Sequence, residues 1–118
     1  MQDFRNIKVW EKGHAFTLEV YKRTQTFPAD ERFGLTSQLR RSSSSIPSNL
    51  AEGCARAGDV EFARFANIAL GSTSEADCQL LLARDLGYLD SAAYGQLFNQ
   101  VTEVKRMLNA FERSLRGL

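Results

Sequence analysis

The chain has little of what most site chemistries need: one histidine, two cysteines and two prolines in 118 residues. Cys54 and Cys78 form no CxxC pair, a pattern of reduced, buried thiols rather than of a disulfide scaffold or zinc site. Glu11 and His14 make one ExxH pair, whereas a di-iron carboxylate bundle needs two. A single histidine also leaves the serines without a ready base, and there is no GxSxG elbow. The stretch "LGSTSEAD" has no GKS or GKT, so it is no P-loop. The sequence therefore implies no catalytic residue, no metal ligand and no cofactor. Charge of one sign is lacking too, because fifteen Lys plus Arg against fourteen Asp plus Glu leave +1. No global field draws this chain toward nucleic acid or an anionic membrane, so any such partner must meet a local patch. No apolar run is long enough to span a bilayer, and the start "MQDFRNIKVWEKGH" lacks a secretion-signal layout. A cytoplasmic protein without a membrane partner is expected.

What is present is helical periodicity. Tyr94, Leu97, Val101, Val104, Leu108, Phe111, Leu115 and Leu118 recur at alternating steps of three and four, predicting a bundle helix over 91–116 capped by Asp90 or Ser91. Phe62, Phe65, Ala69, Ser72, Ala76, Gln79, Ala83 and Leu86 repeat the spacing over 59–86, with Gly87 as the left-handed stop. A first helix over 7–26 ends before Pro28. Its apolar residues fill an arc of roughly 200°, about twice what one core contact requires. Val9, Phe16 and Val20 lie on that arc, and so are candidates for an oligomer interface.

Four consecutive serines and Pro47, in "LRRSSSSIPSNLAEG", have the composition of a linker. Yet Leu35, Leu39, Ile46, Leu50 and Cys54 keep one apolar stripe through them, which a flexible linker has no reason to do. Residues 34–56 are therefore predicted to be one kinked helix, in which Pro47 strips the Ser43 carbonyl of its usual donor. Nearby serine hydroxyls or water are expected to satisfy that group. The result is an all-α, single-domain four-helix bundle.

Beside the apolar stripe runs a polar one: Gln38, Ser42, Ser45, Asn49, Glu52 and Arg56. It is either a structural network fixing register or a ligand site, with Ser72 and Glu75 as recipients of hydrogen bonds from Asn49 and Ser45. Basic residues cluster locally at Arg40 and Arg41 and, on the last helix, at Lys105, Arg106 and Arg113. These are the candidate nucleic-acid contacts.

The segments "FRNIKVWEKGHAF", "FPADERFGLTSQLRR", "SIPSNLAEGCAR" and "FANIALGSTSEADCQL" together resemble the bacterial proteins of the 23S ribosomal RNA intervening-sequence family, also called S23 ribosomal protein. The resemblance spans nearly the whole chain, and Ser-Ile-Pro-x-Asn followed by Ala-Glu-Gly is its most specific phrase. It implies an antiparallel, up-down, left-handed bundle assembled as a homopentamer. It also implies similarity to the accessory protein of diversity-generating retroelements, a basic pentamer working with a reverse transcriptase and RNA; this chain is nearly neutral. The family's recurrent positions map onto Ser45, Pro47, Asn49, Glu52 and Gly53, and onto Gly71, Ser72 and Glu75. Two functions follow as expectations: a non-catalytic, oligomeric accessory or scaffold protein associated with structured RNA, or a protein-interaction module with no nucleic-acid partner.

Overall fold

The computed structural model describes residues 2–118, and every regular element among them is helical. The helices are α1 (Lys8–Thr24), α2 (Leu35–Cys54), α3 (Asp59–Asp85) and α4 (Ser91–Leu115), with short 3-10 turns at Phe4–Asn6 and Ala29–Glu31. Their ends lie within two residues of those expected from periodicity. Asp90 caps α4, its carboxylate accepting from the Ala93 N–H at 2.8 Å. Gly87 ends α3 at φ 80°, and the Tyr88 N–H returns to the Ala83 carbonyl at 2.9 Å, a left-handed stop that glycine takes without steric cost. Helix α2 begins differently. Glu31 reaches forward to accept from the Leu35 N–H at 3.1 Å, while its other oxygen accepts from the Tyr88 hydroxyl at 2.9 Å. One carboxylate thus ties the α1–α2 connection to the α3–α4 connection.

Each helix packs on its chain neighbour and α1 closes on α4, so α1 and α3 are diagonal, as are α2 and α4. The contacts run antiparallel. Gly13, Thr17 and Thr24 of α1 meet Ile46, Ser43 and Arg40 of α2 in descending order, and Phe62 and Arg84 of α3 meet Phe111 and Tyr94 of α4. Phe16, Leu39, Ile46, Leu50, Leu80, Leu97 and Leu108 are wholly enclosed, and burial of each such side chain stabilises the fold by about 1.5–3 kcal/mol. No helix among the described residues is long and apolar enough to cross a membrane.

Three sequence expectations are corrected by this packing. Val9, Phe16 and Val20 are not an oligomer interface: they face α2 and α4, and Phe16 and Val20 have no exposed surface. A wheel shows how wide an apolar arc is but not which part of it the chain's own core consumes. On α4 the buried stripe passes through Glu112, with Phe111 and Leu115 only partly buried, because a 3.6-residue helix drifts about 20° per heptad against a strict 3-4 pattern; Leu118 lies beyond the helix and is exposed. Cys54 is buried as expected, but Cys78 is exposed on α3.

Candidate nucleic-acid interface

The serine run is helical because the apolar stripe through it is buried, Leu39, Ile46 and Leu50 being wholly enclosed, and its hydroxyls are satisfied within the helix geometry. Ser42, Ser43 and Ser44 donate back to the carbonyls of Leu39, Arg40 and Arg41 at 3.1–3.2 Å. The carbonyl freed by Pro47 is met by a side chain of α1 rather than by a neighbouring serine. Thr17 of α1 directs its hydroxyl at Ser43 O (3.0 Å) and shares the proton with Gly13 O (2.9 Å). Gly13 is what lets the helices come this close, since a Cβ there would meet Ile46 Cγ2 at 3.0 Å. A second close approach lies at Gly53, where a Cβ would fall 2.8 Å from both Phe62 and Phe65 of α3.

The polar stripe faces α3 and divides into two networks. In one, Asn49 donates to the Ser45 carbonyl (2.7 Å) and hydroxyl (3.0 Å), and the Ser45 and Ser72 hydroxyls share a bond of 2.8 Å. In the other, the Ser42 proton is shared between the Leu39 carbonyl and, at the shorter 2.6 Å, Gln79 Oε1, and the Gln79 amide donates to Glu75 at 3.4 Å. Ser45 and Ser72 meet as the spacing suggested, whereas Asn49 turns to its own helix and Glu75 serves Gln79. Glu52 pairs with Arg56 on the outside (2.9 Å), Gln38 is exposed, and a Cβ on Gly71 would meet nothing within 4 Å. These three stand outside the networks. Within the two networks the side-chain hydrogen bonds close on one another or on backbone.

The five candidate cationic residues do not form one patch, because α2 and α4 are diagonal. On α4, Arg106 and Arg113 point outward and Lys105 donates to Ser74 of α3 at 3.1 Å. On α2, Arg41 lies 3.8 Å from the Glu75 carboxylate. Arg40 is fixed in place: its Nε donates to the buried Thr24 hydroxyl at 2.8 Å, an Nη donates to Tyr21 O at 3.3 Å, and its guanidinium lies 4.7 Å from the centre of the Tyr21 ring.

Around Arg40 the structure assembles a group that sequence reasoning missed. Arg32 and Phe33, from the α1–α2 connection, join Tyr21, Arg40 and Arg41 in a shallow cleft completed by hydroxyls such as Thr36 and Ser44. No carboxylate lines it. Phe33 is 87% exposed and the Arg32 guanidinium sits 5.3 Å from its ring centre. An arginine next to a phenylalanine in a polar connection was the available signal, but only the fold shows that it meets Arg40. Across the ion pairs, Arg64 holds the Glu61 carboxyl below its usual range by a hydrogen bond. The hydrogen bond to Glu31 raises the Tyr88 phenol above its ordinary value.

Comparison with known proteins agrees with this architecture. The 23S rRNA-intervening sequence protein family matches residues 5–110. A crystal structure of a protein of unknown function from the S23 ribosomal protein family of Bacteroides thetaiotaomicron superposes with a TM-score of 0.79 at 25% identity, covering 88% of this chain and 97% of that one. No curated protein matches. The chain belongs to the 23S rRNA-intervening sequence protein family.

Proposed function

We propose that this protein is a non-catalytic, cytoplasmic accessory protein that assembles into an oligomer and binds RNA through the cleft between the end of α1 and the start of α2. The observation that carries this reading is the cleft itself: three guanidiniums, two exposed aromatic rings and several hydroxyls with no carboxylate among them. Guanidiniums meet phosphates, ring faces meet bases, and hydroxyls meet sugar and phosphate oxygens. Arg40 is the anchor, because its bonds to Thr24 and Tyr21 hold the guanidinium in place before a ligand arrives. Assembly, to a pentamer by family resemblance, is supported by apolar residues left exposed on α3 and at its C-terminal cap, notably Ile68, Leu82 and Leu86. Repetition around an axis would multiply a patch that is weak in one protomer.

The test is a titration of nucleic-acid-free protein against a labelled RNA, with the Arg32→Ala/Arg40→Ala variant alongside. Loss of most of the affinity in the folded variant supports the reading; equal binding by both proteins contradicts it. A second reading, a protein-interaction module without RNA, is favoured by the apolar half of the α1–α2 groove beside Trp10 and Leu18. It predicts no saturable RNA binding at low or moderate salt.

A further inference from the structure

The cationic cleft is not isolated. Tyr21 and Ser44 also line a second groove that continues along α1 past Leu18, His14 and Trp10 to Phe4. Its floor is low because α2 presents Ser44, Pro47, Ser48 and Ala51 there. The wall is made of rings: Trp10 and His14 are stacked with centroids 4.8 Å apart and planes inclined by 11°, and Phe4 meets Trp10 edge-on at 4.9 Å. His14 and Leu18 are exposed, Leu18 by 59%. No carboxylate lines this groove either.

Resting on the RNA reading above, we propose that the two grooves form one track for an unpaired RNA strand, with bases stacked along His14, Leu18 and Tyr21 and phosphates held at Arg32, Arg40 and Arg41. Length and chemistry both support this. From Trp10 to Tyr21 the helix advances about 16 Å, room for about four nucleotides at the roughly 3.4 Å spacing of stacked bases. In a duplex the base faces are already covered, and side chains reach mainly phosphates and 2′-hydroxyls. A track of exposed ring faces ending in guanidiniums is therefore matched to a strand whose bases are free. An acidic peptide would answer the arginines but has no comparable use for the outer face of the exposed His14 ring, whose other face is stacked on Trp10.

Trp10 is the only tryptophan of the chain, so its emission reports on this groove directly. The experiment titrates the full-length protein with a short unpaired RNA and with a blunt duplex of equal length, following Trp10 emission and, separately, the anisotropy of labelled RNA. The unpaired strand is expected to quench Trp10 saturably and to bind at least about tenfold more tightly than the duplex. Removing one stacking surface, His14→Ala, is expected to weaken the unpaired strand about five- to a hundredfold while leaving duplex binding unchanged; circular dichroism confirms that the variant is folded. RNA binding with unchanged Trp10 emission, or equal affinity for strand and duplex, overturns the track while leaving the arginine cleft in place. Absence of RNA binding by either readout overturns both, and an acidic peptide that alone quenches Trp10 assigns the groove to a protein.

Discussion

At the scale of single residues, Thr17 decides whether Pro47 can sit inside α2. An interior proline disrupts a helix by about 3 kcal/mol when nothing compensates. Here the orphaned Ser43 carbonyl receives a hydroxyl from the neighbouring helix. Thr17→Val keeps the shape and removes that donor, so it is expected to destabilise the protein by about 1–3 kcal/mol, whereas Thr17→Ser retains most of the stability; thermal unfolding of the two variants checks this. Phe16 gives a sharper contrast. Because it is wholly enclosed in its own chain, Phe16→Glu is expected to unfold the protein, since an unpaired charge would be buried. A folded Phe16→Glu variant with a lower assembled mass would instead restore the interface reading. Tyr88 supplies a pH dependence. Its phenol is raised by the hydrogen bond to Glu31, so this contribution to stability is complete below about pH 10, the unfolded value, and is lost as pH climbs through the folded value. The stability difference between wild type and Tyr88→Phe is expected to shrink over that alkaline range, as measured by chemical denaturation.

At the scale of elements, α2 carries two different edges. The edge toward α3 is the hydrogen-bonded seam through Ser42, Ser45 and Asn49; the edge toward α1 holds Arg40 and the low groove floor. Ser45→Ala removes the hydroxyl that meets both Ser72 and Asn49, leaving Asn49 its bond to the Ser45 carbonyl, and is expected to cost about 1 kcal/mol, roughly a 4 °C fall in midpoint, without altering RNA affinity. Reduced affinity at unchanged stability would make the seam a ligand site. The helices themselves were legible in the sequence because burial imposes a period, and that period ran unbroken through the serines from Leu39 to Ile46. Asp90 and Gly87 marked boundaries by chemistry that acts locally. Azimuth was not legible. Spacing alone could not show that Val9, Phe16 and Val20 turn inward while Trp10, His14 and Leu18 line a groove. Nor could it show that the donor to Ser43 comes from α1, that Gln79 rather than Asn49 meets Glu75, or that Arg32 and Phe33 approach Arg40. The contacts at Ser43 and Arg40 join separate elements and depend on how the helices are rotated against each other, and that rotation also decides which partners are left for Asn49 and Glu75.

At the scale of the whole molecule, a net charge of +1 conceals an uneven distribution. Most cations are paired with nearby carboxylates, as Arg23 is with Glu19 and Arg64 with Glu61. Among the described residues, the cleft retains Arg32 and Arg40 outside any ion pair and Arg41 in a loose, exposed one. Local rather than global charge should therefore govern RNA binding, and its salt dependence counts the phosphates engaged. Three contacts to a single strand correspond to a log–log slope of about −2, or about a twentyfold loss of affinity between about 50 and 200 mM salt. The most direct measurement is that slope for the wild-type protein and an unpaired RNA. The account predicts saturable binding with a slope near −2 that flattens in the Arg32→Ala/Arg40→Ala variant. No binding at low salt, or a slope that the variant leaves unchanged, would contradict it.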